Sequence, residues 1–240
     1  IGVRMERRIS LWRDFVSLMR IMQVLRREGP YMVHSMTPKA GLLCMMAAKM
    51  VCVPVRVHTF TGLVWPTATG VSRKILMMTD KITCACATHV VPEGEGVKHD
   101  LQRCITRKPL KVLGYGNVKG CYMDYFSRRD EVVSAAEQIK DNSKFTYLFI
   151  GRVVKDKGIN ELVTAFKKLY TSHPDIRLVL VGHYEDDMDP ISDESRKAID
   201  TYDNILAVGK KTGVNLLSYY AASDCFVLPS YREGFPNTVI

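Results

Sequence analysis

The chain has 240 residues, of which 47% are hydrophobic and 25% are charged. This balance is ordinary for a globular protein of one large domain or two small ones, and no apolar run reaches the ~18 residues of a membrane-spanning helix. Residues 1–140 carry 22 Lys and Arg against 11 Asp and Glu, a balance of +11, whereas residues 141–240 carry 12 against 14, a balance of −2. The basic first half predicts an anionic partner, either a phosphate-rich substrate or an anionic membrane surface. Its basic residues are not interleaved with aromatic ones, which argues against nucleic acid.

The cysteines give no indication of a metal site or of a disulfide framework. There are seven, an odd number, and the sequence shows no secretory signal segment. We therefore expect reduced thiols in a cytoplasmic protein. Cys84 and Cys86 are too close in sequence for the usual zinc pair, so no metal is predicted.

Helices and strands are predicted to alternate through the first half of the chain. Apolar residues at helical spacing indicate the first helix, and Thr37 followed by Pro38 is typical of a helix start. The predicted elements, in chain order, are the helix 11–27, the strand 31–35, the helix 37–51, the strand 53–60, the helix 70–86, the strand 87–92, the helix 93–102 and the strand 110–114. Such alternation is typical of a doubly wound parallel sheet.

A polar stretch over 127–144 interrupts the alternation, which then resumes. The later elements are the strand 145–151, the helix 159–170, the strand 176–182, a helix near 191–201, the strand 204–209, the helix 214–222 and the strand 224–230. The sequence thus predicts an α/β protein of two Rossmann-like domains, 1–130 and 144–240, joined by the linker 131–143, in which a short helix is expected. Each block has fewer strands than a full doubly wound domain, so we expect both to be incomplete, with the chain truncated at both ends.

The loop after the strand 145–151 combines a glycine with two cations. Gly151 allows a turn at the strand end, and Arg152 and Lys157 lead into the next helix. A strand end, a helix N-terminus and two cations together favour a phosphate site, although a solvated basic loop would have the same composition. The acidic run Glu185–Asp187 follows a later strand and is predicted to be a solvated loop rather than a metal site.

The stretch "SDCFVLPSYREGFPNTVI" places a carboxylate directly after a buried strand. Gly234 permits close backbone approach, and Pro236 suits the first position of a helix that would begin at the end of the chain. Glu233 could accept hydrogen bonds from the hydroxyl groups of a ligand. The alternative is a carboxylate favoured only by the helix dipole, worth about 0.3–1 kcal/mol.

Three features together resemble family 4 glycosyltransferases of the GT-B fold: "FIGRVVKDKGI", "DCFVLPSYREGFPNTVI" and the arrangement in two blocks. The front motifs "VHSMTPKAGLL", "VHTFTGLVWPTATG" and "VLGYGNVKG" are similar to bacterial capsular and O-antigen transferases of this family. The resemblance implies that Arg152 and Lys157 bind the donor diphosphate and that Glu233 contacts the donor sugar. It also implies donor contacts at Gly151, Gly209, Lys210, Gly234, Phe235, Asn237 and Thr238. The second glutamate of the family's signature would fall at position 241.

Acceptor-side candidates come from the first half. His34 lies at the end of the strand 31–35 with Lys39 nearby, and it could equally be a structural residue. His58 and Thr61 lie where many family members carry His-Gly. Here Thr61 precedes Gly62, and His58 could equally be a core residue. The family's first strand and glycine-rich loop have no counterpart in the chain.

The function implied by the resemblance is a retaining transfer of a hexosyl or N-acetylhexosaminyl group. The donor would be a UDP- or GDP-sugar and the acceptor a polyprenyl-diphosphate-linked saccharide, at the inner face of the cell membrane, with no metal cofactor and no nucleic acid. The basic first half agrees with an anionic membrane surface. Two alternatives stay open: a nucleotide-sugar epimerase of the same fold, and an inactive fragment that binds a nucleotide.

Overall fold

A computed structural model describes residues 10–117 and 120–239 as two compact units. The first unit holds the chain through Gly120 together with Arg232–Phe235. The second holds Cys121–Tyr231 and the residues from Pro236 onward. This division differs from the predicted boundary at residue 130. Among the described residues, no helix is both long enough and apolar enough to cross a membrane.

The first unit alternates helices and strands as predicted. Its elements are α1 (Leu11–Glu28), β1 (Met32–Ser35), α2 (Pro38–Met50), β2 (Val55–Phe60), α3 (Gly70–Cys86), β3 (His89–Pro92) and α4 (Glu95–Cys104). The strands are parallel and lie in the order β1-β2-β3, with His34 opposite Val57 and His58 opposite Val90. Apolar side chains from the helices and the sheet, such as Met45, Phe60 and Leu101, are fully or almost fully buried and form the core.

The strand predicted over 110–114 is absent, and this prediction was wrong. The segment runs beside β3, but a groove of about 490 Å³ lies between them, lined by Thr88–Val91 on one side and by Lys108 and Pro109 on the other. Pro109 has no backbone N–H to donate to β3. The ammonium group of Lys108 instead donates to the main-chain carbonyls of Cys84 and Ala87 and fixes the segment at the end of α3.

The second unit is also built from alternating elements. They are α5 (Asp130–Ile139), β4 (Phe145–Ile150), a 3-10 turn (Lys155–Lys157), α6 (Ile159–Ser172), β5 (Ile176–Val181), α7 (Asp193–Thr201), β6 (Ile205–Gly209), α8 (Val214–Ala222) and β7 (Cys225–Phe226). All strand pairs are parallel, which confirms the predicted fold class. After Pro236, where the sequence suggests a helix start, residues 237–239 form a turn closed by a hydrogen bond from Val239 N–H to the Pro236 carbonyl.

The predicted linker 131–143 contains most of helix α5. Val132 and Ala136 on this helix are buried within the second unit. Arg177 of β5 donates from Nη2 to the carbonyl oxygen of Ile139 and from Nε to the Thr146 hydroxyl. The short helix expected in the linker is thus present as α5, and the polar composition belongs to the exposed face of this helix, which packs against α8 in the second unit.

The second sheet has the strand order β6-β5-β4-β7. Strands β5 and β6 lie on one side of β4, and the chain then returns to the other side of β4 as β7. In parallel α/β sheets, ligands bind at the carboxyl ends of the strands where the order reverses. The loops that follow β4 and β7 are thus the expected ligand-binding loops of this unit.

The carboxyl ends of β4, β5 and β6 are joined through glycines. Gly151 N–H donates to the Val181 carbonyl, and Gly182 N–H donates to the Gly209 carbonyl. A Cβ atom on Gly182 would collide with the carbonyl oxygen of Gly151. The adjacent strand ends can approach this closely only because Gly182 has no side chain.

We expect Gly182→Ala to lower the free energy of unfolding of the second unit by about 1–3 kcal/mol, since the added methyl group must displace main-chain atoms. Urea unfolding would measure the change. Gly96→Ala is the matched control, because a Cβ atom at Gly96 in α4 meets nothing within 4 Å and alanine favours a helix. Equal stability of Gly182→Ala and the wild type would contradict the steric argument.

Candidate functional site

Arg152 lies in the loop after β4 and forms an ion pair with the loop after β5. Its Nη1 atom is 2.6 Å from Oε2 of Glu185, whose other carboxylate oxygen lies 3.6 Å from Nε2 of His183. The Glu185 side chain is only 16% exposed, whereas that of Arg152 is 43% exposed. The acidic run was predicted to be a solvated loop, and for Glu185 this was wrong, because the carboxylate pairs with the predicted phosphate ligand.

The loop after β4 is braced from two sides. The Asp156 N–H donates to the carboxylate of Asp189, which follows β5. On the other side, Tyr231 N–H, after β7, donates to the Asp156 carbonyl. A Cβ atom on Gly158, whose φ is +72°, would collide with the carbonyl of Pro229. The loops after β4 and β7 therefore lie in direct contact at the reversal of strand order.

Two more observations mark this end of the second sheet as a place where a polar ligand could bind. Ser230 Oγ, just after β7, is buried and has no hydrogen-bond partner among the described residues. The loop carrying Arg152 and Lys157 leads directly into the first turn of α6. Cationic side chains and main-chain N–H groups at a helix start are suited to an anion such as a diphosphate.

The remaining predicted donor residues of the second unit occupy strand-end and turn positions. Gly209 ends β6 with φ of +71°, and Lys210 follows it with an exposed side chain. Asn237 is exposed, and the main-chain carbonyl of Thr238 accepts a hydrogen bond from the hydroxyl of Tyr220 at 3.0 Å. Gly151 after β4 and Gly209 at the end of β6 thus lie on either side of the end of β5, where Gly182 stands. The sequence analysis did not single out Gly182.

Residues 232–235 pack within the first unit against the loop after β2. A Cβ atom on Gly234 would collide with the carbonyl oxygen of Thr61, and Arg232 Nη1 donates to the Leu63 carbonyl at 3.2 Å. The Phe235 ring lies over Gly116, where a Cβ atom would come within 2.9 Å of the ring. Two predicted residues, Thr61 and Gly234, are thus brought together through their main chains. Glu233 is half-buried between these packed neighbours.

Glu93 is a carboxylate that the sequence analysis did not single out. It directly follows β3 and is only 8% exposed, and its Oε2 atom would lie 2.8 Å from a Cβ atom on Gly234. Its main-chain N–H donates to the Phe60 carbonyl, and its own carbonyl accepts from Asn117 N–H. The position directly after a parallel strand was the available signal, but Glu93 was assigned to the following helix.

The acceptor-side candidates of the first unit fall into different environments. The exposed His34 ring lies 2.8 Å from the Thr59 hydroxyl through Nε2. Lys39 forms an ion pair with Asp14 of α1 at 2.6 Å and so connects α2 to α1. Thr61 is exposed and donates from its hydroxyl to the Met36 carbonyl.

His58 is a core residue in this structure. It is 1% exposed, its Nδ1 atom lies 2.7 Å from Ser35 Oγ, and its ring meets Phe60 edge-on at 4.5 Å. Helix α2 crosses the ring at Gly41, where any side chain would overlap it. Burial, with a smaller effect of nearby His34, lowers the pKa of His58 to about 4. A neutral imidazole enclosed in this way is not available to a solvent-borne acceptor.

Residues 133–240 match the family model "Glycosyl transferases group 1". This match covers most of the second unit and confirms the resemblance predicted from the motifs around Arg152 and Glu233.

Two relatives match nearly the whole chain. The capsular polysaccharide biosynthesis glycosyltransferase CapM of Staphylococcus aureus is 30% identical over 99% of this chain and 62% of its own length. The UDP-Gal:alpha-D-GlcNAc-diphosphoundecaprenol alpha-1,3-galactosyltransferase of Escherichia coli is 28% identical over 98% of this chain and 60% of its own length. The chain thus spans about 60% of the length of these relatives.

The fold also matches a solved structure. Anabaena HepE in complex with UDP and glucose superimposes with a TM-score of 0.73 at 16% identity, covering 93% of this chain and 59% of that one. At 16% identity, this match shows similarity of fold only. Within residues 10–117 and 120–239, no group of three or more His, Cys, Asp or Glu side chains is arranged to hold a metal ion.

The buried, neutral His58 makes the stability of the first unit depend on pH. Below pH 6.5 the unfolded chain binds a proton at His58, and the folded chain does so only near pH 4. The contribution of His58 to the free energy of unfolding should therefore fall as the pH drops from about 6.5 to about 4, by about 3 kcal/mol in total.

We expect the free energy of unfolding of His58→Phe, taken relative to the wild type, to rise by about 1.4 kcal/mol per pH unit on acidification through this window. Denaturant titrations between pH 7 and pH 4.5 would measure it. His99→Phe, at an exposed position on α4, is the control and should follow the wild type. A parallel offset of His58→Phe at every pH would show that the histidine is not held neutral.

Proposed function

We propose that the protein is a retaining glycosyltransferase that moves a hexosyl or N-acetylhexosaminyl group from a nucleotide-sugar to a lipid-linked saccharide. The observation that carries the proposal is the loop after β4, where Arg152 and Lys157 lie at the reversal of strand order and at the start of α6. The match to glycosyl transferases group 1 covers this loop. The two relatives, both named as glycosyltransferases, favour transfer over the epimerase alternative.

The chemistry requires stabilisation of a leaving diphosphate. Breaking the bond between the anomeric carbon and the diphosphate oxygen leaves that electron pair on the nucleotide diphosphate. The acceptor oxygen bonds to the anomeric carbon, and its proton passes to the departing diphosphate. Fixed cations lower the barrier most where this negative charge develops. We assign that role to Arg152 and Lys157, and with two cations present the mechanism requires no metal ion.

The remaining donor contacts follow from the resemblance. Glu233 would accept hydrogen bonds from the sugar hydroxyls, and Gly234 and Phe235 would place main-chain N–H groups near it. Gly209 and Lys210 would lie near the base, and Asn237 and Thr238 near the phosphates. Pro236 has no N–H to donate. UDP- and GDP-sugars both remain candidates, and the UDP named with HepE and with the Escherichia coli relative makes a UDP-sugar the first choice to test.

For the acceptor we propose a saccharide linked to a polyprenyl diphosphate. The Escherichia coli relative is named for a diphosphoundecaprenol-linked acceptor. An acceptor with a lipid tail would require the enzyme to work at the cytoplasmic face of the membrane as a peripheral protein. On the acceptor side, His34 and Thr61 have exposed side chains at the carboxyl ends of β1 and β2, whereas Lys39 and His58 are engaged in structure.

Neutralising the proposed diphosphate ligands tests the function. We expect Arg152→Gln and Lys157→Gln, in protein expressed from the complete gene, each to weaken UDP binding and slow sugar transfer by about ten- to a hundred-fold, through loss of one charge-assisted interaction of about 1.5–3 kcal/mol. Isothermal titration and a donor-turnover assay would measure this.

Lys155→Gln is the matched control, because Lys155 is exposed in the same loop and changes the charge equally. It should change binding by less than about three-fold. Equal effects at Lys155 and Lys157 would show that the loop attracts UDP only through its overall positive charge. Unchanged binding in all three variants would refute the proposed diphosphate site.

The ion pair between Arg152 and Glu185 should compete with the diphosphate for the guanidinium group. The pair is partly exposed, and such pairs contribute about 0–1 kcal/mol. We expect Glu185→Gln to tighten UDP binding by up to about five-fold, as measured by titration. The control is Asp186→Asn, in the same loop and 64% exposed. Weaker UDP binding in Glu185→Gln would show instead that the carboxylate holds Arg152 in its binding position.

A further inference from the structure

Helix α3 of the first unit exposes a row of apolar side chains along its whole length. Val71 is 72% exposed, Ile75 50%, Met78 57% and Ile82 37%. At 100° per residue these four positions fall within an arc of about 60° and form one stripe. Single exposed apolar residues are ordinary on protein surfaces, but a continuous stripe indicates an interaction surface.

The stripe is not the face by which α3 joins the core. The buried residues of the helix are Thr83, Cys84 and Cys86. Leu76 and Met77 pack against the same core cluster. The helix thus uses one face for the fold and presents a second apolar face outward, which an amphipathic helix of a globular protein does not need for stability.

Cations flank the stripe on one side. Lys74 and Lys81 are exposed and fall about 80° from the centre of the stripe. Lys49 of α2 donates from Nζ to the carbonyl of Ala85 at 3.4 Å, which places a third ammonium group near the end of the same flank. An apolar face bordered by lysines is the pattern of a helix that lies in the interface of an anionic bilayer.

No carboxylate balances these lysines on the exposed face. The single acidic residue of α3 is Asp80, which lies on the opposite side of the helix. Burial there raises its pKa to about 7, an effect that the side-chain interaction with Trp65 opposes. The outward face of α3 therefore carries only positive charge.

We propose that the α3 stripe is the membrane-docking surface of the protein, with Val71, Ile75, Met78 and Ile82 in the headgroup region and the lysines on anionic lipid phosphates. The inference rests on the proposed function, because a lipid-linked acceptor has to be reached at a bilayer. It goes beyond that function by assigning the docking to one helix face.

The charge pattern favours lipid over a second copy of the chain. A two-fold interface brings the same surface patch of both subunits together. Lys74 and Lys81 of one copy would then face those of the other, with no carboxylate on this face to pair with them. Anionic headgroups supply the missing counter-charge, and each lysine near such a surface contributes about five-fold to binding.

Vesicle flotation of the protein expressed from the complete gene tests the proposal, with phosphatidylcholine vesicles alone or with one third phosphatidylglycerol. We expect binding only to the anionic vesicles. Ile75→Gln combined with Met78→Gln should reduce binding by at least ten-fold. Lys74→Gln combined with Lys81→Gln should reduce it by roughly ten- to thirty-fold.

Matched controls come from the second unit. Leu169 and Leu206 are 36% and 38% exposed, and Lys168 and Lys197 are exposed on α6 and α7. The corresponding double Gln substitutions should leave vesicle binding within about two-fold of the wild type. Equal losses in the controls would overturn the assignment to α3, and so would wild-type protein that binds no vesicles.

Two further measurements separate this proposal from the proposed function. The α3 variants should bind UDP like the wild type, which also shows that they are folded. Sugar transfer to the lipid acceptor without vesicle binding would refute the docking surface and keep the transferase. Vesicle binding without UDP binding would refute the proposed function and keep the docking surface. A dimer that the stripe variants dissociate, with vesicle binding unchanged, would identify a second copy as the occupant.

Discussion

The second unit depends on how closely its main chain can pack at the carboxyl ends of the parallel strands. Gly182 abuts the carbonyl of Gly151, and Gly158 abuts that of Pro229. These contacts leave no space for side chains, so the loops after β4 and β7 meet directly. The phosphate-binding candidates on the β4 loop are consequently carried by a braced main chain. A fixed frame matters because pre-positioned charges need no reorganisation when a leaving group develops charge.

On this loop, Arg152 pairs with Glu185, and it could exchange this partner for a diphosphate. Its pair with Glu185 is partly exposed, and a pair of that kind contributes about 0–1 kcal/mol. A charge-assisted hydrogen bond to a diphosphate contributes roughly 1.5–3 kcal/mol, so the exchange is favourable by the difference. The carboxylate can therefore keep the guanidinium group ordered before a ligand arrives without preventing its transfer to the ligand. The other carboxylate oxygen of Glu185 lies 3.6 Å from Nε2 of His183, in the same loop after β5.

Local patterns in the sequence predicted most elements of the fold. The helix expected over 70–86 is α3, residue for residue, because helical periodicity is a local signal. The strand expected over 110–114 failed because pairing with β3 depends on tertiary placement, and Lys108 and Pro109 set that placement. Propensity alone cannot report whether a neighbouring strand lies within hydrogen-bonding distance.

The sequence predicted the positions of several site residues, but it did not predict which side chains they contact. Gly151 and Arg152 lie at the strand end where the motif indicated, but the Glu185 carboxylate that Arg152 contacts is 33 residues away in sequence. Lys39, a candidate for the acceptor, is paired with Asp14 on a different helix. Such pairings depend on how helices and loops pack, which no local pattern records. The burial of His58 under Gly41 has the same origin, since a histidine at a strand end gives no sign of the helix above it.

In the first unit, burial shifts the pKa values of two side chains toward their neutral forms. His58 is neutral inside because burial lowers its pKa to about 4, and burial raises the pKa of Asp80 to about 7. The cost of an unpaired buried charge drives both changes, which leave ionised groups mainly at the surface. On α3 the single carboxyl group, that of Asp80, lies on the side opposite the apolar stripe, which leaves only lysines beside the stripe. The outward face of α3 is therefore both apolar and cationic, and an anionic bilayer would match its charge and its apolar surface.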